Sequence, residues 1–543
     1  MGRSRIEDKT YTEPHSIVEV ASNTLSGYPH LVSITAVHNE KEKSIELIYT
    51  FSDFKGALKN ISTKIPEDKK TLSSIASVAP AASIYEQEVS ELFGVTFDGN
   101  PFAGKRVLLP DCFPNDVHPL LKDVKQEDLE KVVTGCMLGE PQIYVTGSSR
   151  YSAESVILLP FGPYHPALKE PERFILVLEG ETIVDVIPKI GHVHRGIEKI
   201  AEGRTFLQDL FLVERICGIC SFIHSWTFTL AVEELLNVKP SKKAEYLRTM
   251  VAELERIHSH VLWIGLLGYW TGFESMFMWI WRLREKIMSL LDLLTGNRVH
   301  KSFIAFGGVR KDVADEKLNT VAKTIAEFEK DYKKLIDEIM SYEPLVERIK
   351  GIGMYNAEHA IRLGAVGPMI RAAGAPYDIR KVEPYGAYDE IDFNVVTGKG
   401  GDVFNVTMVR IKEVLESINI IRQCIEKMPR NENPVPKILV SGVVKEGEAV
   451  ARTEAPRGEL FYYVKAANSR NPHRVKIRTP TLANILLAAD MLKGYTLSDV
   501  PVIITSIDPC FSCMDRVLVV DKNHNSAFFV DFNKLRKENR VAG

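Results

Sequence analysis

Four of the seven cysteines fall into two Cys-x-x-Cys pairs: Cys217/Cys220 in Glu-Arg-Ile-Cys-Gly-Ile-Cys, and Cys510/Cys513 in Asp-Pro-Cys-Phe-Ser-Cys. Two intervening residues let both thiolates of a pair reach one ion from a single turn, and two pairs complete a four-sulfur site if folding brings them together. A structural zinc site has the same ligand count, so the ligands alone leave the metal open. Zinc ribbons space their pairs by roughly 15–20 residues, because they staple a small local fold. Here nearly three hundred residues separate the pairs. The site would join the start and the end of a large domain, a geometry that suits a buried functional metal better than a staple.

The elements that must position these sulfurs can be read from periodicity. Leu31–Val37 and Ser44–Phe51 show the alternation and β-branched enrichment of strands, and Ala82–Phe93 is a charged helix ended by Gly94. Together they predict a small α/β domain over 1–125. Polar residues from Lys122 to Lys131 and the run Gly147-Ser-Ser-Arg predict a linker over 126–151. A strand pair at Phe174–Leu178 and Gly180–Val186 opens a second domain, 152–516. Three long helical patterns follow: Lys242–His260, with Tyr246, Met250, Leu254 and Ile257 on one face; Asp315–Tyr342; and residues 402–428. The expected fold class is α+β, with a large, mainly helical bundle behind the small domain. No internal repeat is visible.

The composition is that of a globular protein, 45% hydrophobic and 26% charged, and 543 residues suffice for two or more domains. A net charge of −3 without an aromatic-interleaved basic cluster excludes a dominant nucleic-acid surface. The odd cysteine count with two Cys-x-x-Cys pairs fits a reducing compartment with thiols kept for metal, and the amino end lacks the apolar core of a secretory signal. A cytoplasmic location is expected. The run Val261–Trp281 is long enough to span a bilayer, but it carries Glu274 and three glycines, so a buried core helix is the favoured reading.

Arg195-Gly-Ile-Glu198, fifteen residues, then Glu214-Arg-Ile-Cys-Gly-Ile-Cys220 resembles the amino-terminal signature of the nickel–iron hydrogenase large subunit. Asp508-Pro-Cys-Phe-Ser-Cys-Met-Asp-Arg516 is similar to its carboxy-terminal signature. Gly162-Pro-Tyr-His-Pro-Ala-Leu-Lys-Glu-Pro171 and Glu454-Ala-Pro-Arg-Gly-Glu459 resemble the related D-type subunit of complex I, and Tyr85–Pro101 resembles the C-type, 30 kDa subunit of complex I. A C–D fusion that keeps the cysteines looks like the large subunit of a group 4, formate hydrogenlyase-type membrane-associated hydrogenase.

That resemblance implies Cys217 and Cys510 as terminal nickel ligands, with Cys220 and Cys513 bridging to an iron that carries CO and cyanide. It also implies reversible reduction of protons to dihydrogen. Cys510 is the expected first proton acceptor, since dihydrogen is a very weak acid and needs a base beside the metal. Glu170 is the candidate proton gate: it aligns with the acid that the wider family places before Gly-His, here replaced by Pro171-Glu172. A surface acid in the charged run Lys169–Arg173 is the alternative. In relatives the acid at Glu198 helps to hold a magnesium ion; here Arg516 stands at the partner position and has only donors, which favours a Glu198–Arg516 ion pair. Arg478 is the candidate guanidinium facing the cyanides or dihydrogen, with Asp508 to orient it, and His258 is a candidate residue around the cofactor.

The implied partners are an iron–sulfur small subunit similar to the B-type subunit of complex I, a ferredoxin-like electron-transfer subunit and integral membrane subunits that hold the chain against the inner membrane face. A maturation endopeptidase would remove residues 517–543. Two other readings remain: a non-catalytic, quinone-reducing complex I-type protein with C–D fusion, and a zinc-stabilised structural protein.

Overall fold

A computed structural model of the chain describes residues 3–5, 9–125, 127–129, 132, 156–436, 442–510, 519–521 and 526–528. The expected linker therefore lies almost wholly outside the described residues, as does most of the carboxy-terminal extension.

The alternating runs near the amino end form the expected strands. His30–Asn39, Ser44–Ser52 and Leu58–Pro66 pair as an antiparallel meander, and Lys9–Tyr11 joins its outer edge in parallel. Ala82–Phe93 is a helix closed by Gly94 in the left-handed region at φ 77°, where a residue without a side chain is unstrained. Its charges do not face water. Glu91 accepts the amides of Val107 and Leu109 at 2.6 Å each, and Glu86 accepts Ile75 N at 2.8 Å, so each buried carboxylate has donors in place of solvent.

The second body begins with the antiparallel sheet Ile157–Phe161, Arg173–Glu179 and Thr182–Lys189. Helices Phe206–Glu214, Ser221–Leu236, Lys242–Trp270, Glu274–Thr295, Asp315–Met340 and Val403–Lys427 then form the bundle. Lys242–Trp270 is its axis, buried along most of its length. The apolar run thought long enough for a membrane is instead two helices, broken at Gly272 (φ 79°), and no described helix is long and apolar enough to cross a membrane. Val261–Ile264 is core, whereas Tyr269, Met278, Trp279 and Trp281 are exposed.

A third sheet, Gly447–Ala455, Gly458–Ala466 and Arg474–Arg478, packs the bundle against the first domain. Its outer strand is Arg3–Arg5, so the amino end belongs to this sheet and Lys9–Tyr11 to the other. Alternation along Arg474–Arg478 sends Arg474, Lys476 and Arg478 to one face. There Arg474 Nε donates to Ala36 O at 3.0 Å, Lys476 pairs with Glu88, and Arg478 Nε donates to Val32 O at 2.8 Å. Val32, Val37 and Ile48 close over Val450, Phe461 and Tyr463 beside these contacts. Cys112 is disulfide-bonded, while Cys217, Cys220, Cys424 and Cys510 are buried.

Candidate metal centre

Cys217 and Cys220 lie between two helices whose ends hold them in place. Thr205 and Gln208 form a capping box at the start of Phe206–Glu214, which leads into the first pair. Cys220 is the N-cap of Ser221–Leu236, and Glu255 of the central helix accepts the first-turn amides of Phe222 and Ile223 at 2.9 and 3.1 Å. The Cys217 sulfur receives the amides of Ile219 and Cys220 at 3.3 and 3.4 Å. Amides that donate to sulfur favour the thiolate.

Cys510 arrives from the far end of the chain, after helix Val500–Ser506. Its Sγ stands 3.0 Å from that of Cys217, and its amide donates to Thr481 Oγ1 at 3.0 Å. Cys217, Cys220 and Cys510 are all buried. Among the described residues no group of three or more His, Cys, Asp or Glu side chains is drawn into a metal-holding cage, and Cys513 and Arg516 lie outside them.

The guanidinium beside the sulfurs is Arg457. Its Nε donates to Asp508 O at 2.6 Å and its Nη2 to Asp508 Oδ1 at 3.1 Å, while its buried Nη1 has no acceptor among the described residues. Burial opposes its charge, yet Asp508 and the sulfurs of Cys510, Cys217 and Cys220 push its basicity well up. In the sequence it stands within the motif Glu454–Glu459, where nothing pointed to this role.

Asp508 has left-handed backbone at φ 54°, which asparagine and aspartate tolerate best among residues with a side chain. The bend returns its carboxylate to Lys169 Nζ at 2.6 Å and Arg457, with Arg410 Nη1 at 3.6 Å. Burial works against its ionisation, and Arg457, Lys169 and Arg410 together hold it below the usual carboxylate range. Lys169 also lies over the Trp270 ring, 5.3 Å from its centroid. The loop that carries Glu170 is thus fastened beside Cys510, and Glu170 itself is half-buried.

Three expectations meet different geometry. Arg478 is not at the sulfurs: its Nη1 donates to Glu459 O at 2.5 Å, its Nη2 pairs with the Glu459 carboxylate, and Nε reaches Val32 O in the first domain. Asp508 accordingly orients Arg457, not Arg478. Glu198 meets Arg474 at 2.7 Å and Lys476 at 3.7 Å, and accepts Ile477 N at 2.9 Å. Burial raises its pKa, but those two cations outweigh it and hold Glu198 below its ordinary value. A magnesium ion does not fit beside a carboxylate already paired with two cations. His258 is buried on the central helix and accepts Arg284 Nε at 3.0 Å on Nδ1; burial and then Arg284 keep it neutral. Its neighbour His260 bonds Glu413 at 2.8 Å within the core.

The chain matches the respiratory-chain NADH dehydrogenase 30 Kd subunit over residues 10–130 and the 49 Kd subunit over 271–441 and 436–516. It matches the nickel-dependent hydrogenase family over 195–267. Membrane-bound hydrogenase subunit alpha of Pyrococcus furiosus is 38% identical over 377 residues, covering 67% of this chain and 88% of that protein. Formate hydrogenlyase subunit 5 of Escherichia coli is 32% identical over 494 residues, covering 90% of this chain and 85% of that protein. A chain in the solved structure of the archaeal membrane-bound sulfane sulfur reductase superposes with a TM-score of 0.64 at 32% identity, over 67% of this chain and all of that one. The chain belongs to the family of nickel–iron hydrogenase large subunits and complex I 49-kDa subunits, with a 30-kDa-type domain in front of the 49-kDa-type domain.

Proposed function

We propose that this protein is the catalytic large subunit of a membrane-associated hydrogenase that interconverts protons and dihydrogen at a nickel–iron centre held by Cys217, Cys220, Cys510 and Cys513. The observation that carries the reading is the meeting of Cys217 and Cys510 sulfurs at 3.0 Å beside Arg457, whose buried Nη1 has no acceptor among the described residues. Soft thiolates suit nickel, and an unpartnered N–H donor suits an anionic ligand such as cyanide on iron. When bound, the centre supplies the Lewis acidity that polarises the H–H bond. Cys510 Sγ takes the proton, Asp508 fixes the Arg457 fork, and Lys169 holds the Glu170 loop against the site. Glu170 then passes the proton outward.

Electrons travel through an iron–sulfur small subunit and a ferredoxin-like subunit, and integral membrane subunits supply the membrane attachment. The relatives' architecture favours a formate-linked complex. Residues 517–543 are removed by an endopeptidase after the metal is inserted.

Metal and infrared analysis of the purified complex tests this reading. Nickel and iron near one each in the large subunit, with CO and cyanide stretching bands, are expected. Zinc alone would instead mean a structural site, and no metal would leave a quinone-reducing protein of the complex I type.

A further inference from the structure

Two residues beyond Glu170 the chain buries a second acid. Glu172 has no exposed surface, and its Oε2 meets no hydrogen-bond donor among the described residues. Among the described residues its Oε1 has only the amide of Arg173, at 3.4 Å. The backbone is held tightly at this point. Glu172 N donates to Pro163 O at 3.1 Å, and Gly162 approaches so closely that a Cβ there would stand 1.8 Å from Glu172 O. An acid placed in such a spot without a cation is expensive unless neutral, because burial penalises the charged form. Burial accordingly raises its pKa well above the ordinary range, and Glu170, the one charged group acting on it among the described residues, raises it further.

Glu170 stands two residues away, where the chain bends just before strand Arg173–Glu179, and its charge acts on the Glu172 carboxyl. Lys169 ties the same segment to Asp508 at 2.6 Å, two residues before Cys510. One acid is half-buried and the other fully buried, on a loop fastened beside the sulfurs.

The geometry points to Glu172 as a second acid of the proton path, working as a pair with Glu170. This rests on the hydrogenase reading above. Glu172 is the inner store and Glu170 the outer member. During dihydrogen oxidation the O–H bond of Glu172 breaks toward the Glu170 carboxylate, and a new O–H bond forms on Glu172 with the next proton from the sulfur side. One proton enters as one leaves, and no electron changes hands. Glu170 releases its proton to solvent, and during proton reduction the order reverses. An unpartnered carboxyl suits a relay because no fixed cation holds its proton off.

The test uses the intact complex, with nickel and the diatomic bands measured first in every sample. Glu172→Gln keeps the shape of the side chain and removes the transferable proton. Nickel content and diatomic bands should stay at the wild-type level, while dihydrogen turnover per nickel falls about a hundredfold, the scale of a lost proton-transfer group. Glu172→Asp should recover part of that loss. Independently of turnover, the wild type at neutral pH should show a protonated carboxylic acid stretch that shifts in D₂O and disappears in Glu172→Gln. Turnover within twofold of wild type at full nickel content would overturn the proposal, and so would a carboxylic acid band that survives the substitution. A wild-type complex without nickel would remove the hydrogenase reading itself, an outcome separated from these by the first measurement.

Discussion

Two buried arginines, twenty-one residues apart in sequence, should fail in opposite ways when changed to lysine. Arg478 makes a three-armed contact: Nε to Val32 O at 2.8 Å, Nη1 to Glu459 O at 2.5 Å, and Nη2 to the Glu459 carboxylate. Lysine has one ammonium, which can keep the carboxylate and must release at least one carbonyl, and the planar fork is lost. Charge-assisted bonds are worth about 1.5–3 kcal/mol each, so losing one or two costs about 2–4 kcal/mol at the domain junction. Local opening there should become about thirtyfold to several hundredfold more frequent, since each 1.4 kcal/mol is tenfold. Hydrogen exchange of the intact complex reads this directly, in peptides covering His30–Asn39 and Gly458–Ala466. Turnover per bound nickel should stay near wild type. Arg457→Lys should do the reverse: exchange at the junction unchanged, nickel retained, and turnover per nickel down by about a hundredfold, as for a lost electrostatic donor. If Arg478→Lys kept full protection at the junction while abolishing turnover per nickel, the assignment of Arg478 to the domain junction would be refuted.

Asp209 is buried on helix Phe206–Glu214 with neither carboxyl oxygen hydrogen-bonded among the described residues, and burial, against a weaker pull from Arg204, pushes its pKa up to about 8. The folded protein therefore holds a proton that the unfolded chain releases near its ordinary value of 3.8, so stability falls as pH rises between about 4 and about 8. Asp209→Asn should remove that slope: its advantage in urea midpoint should grow across the window and level off above it, and a constant difference would contradict the assignment. A Cβ on Gly191 would stand 1.4 Å from the Leu108 carbonyl oxygen, where Ile190 N donates to Val107 O at 2.8 Å. Gly191→Ala should push the two segments apart at a cost of about 3 kcal/mol or more, seen as faster exchange around residue 108; unchanged protection would speak against the close approach.

The local signals in the chain proved dependable where one physical cause dominates. Ala82–Phe93 could be read as a helix because Gly94 marks its end, and the paired strands at 173–189 follow from β-branched alternation. Alternation of Arg474, Lys476 and Arg478 with Val475 and Ile477 was equally visible, but alternation states only that the three cations share a face. It does not say that Val32, Ala36 and Glu88 are what they face. Arg478 was therefore expected at the metal site, while Arg457, whose neighbours in sequence gave no chemical hint, is the guanidinium beside the sulfurs. Glu198 shows the same limit: its own motif suggested an ion site, and the cations that neutralise it come from a strand 276 residues later at the nearest. The acids of Ala82–Phe93 were read as a charged helix, yet they are buried, because the amides that satisfy them lie in loops a sequence pattern cannot place.

The two Cys-x-x-Cys pairs were determined by sequence alone, since spacing within a turn is a local property and thiolate is the chemistry that binds soft metals. That Cys217 and Cys510 stand 3.0 Å apart is a property of the fold, since they are 293 positions apart in the chain. Which groups surround those sulfurs is likewise tertiary: Arg457, the left-handed turn at Asp508 and the anchored loop of Lys169, Glu170 and Glu172 converge from three separate parts of the chain. Ligand identity is written in single residues, whereas charge, protonation and access depend on what packing brings against them.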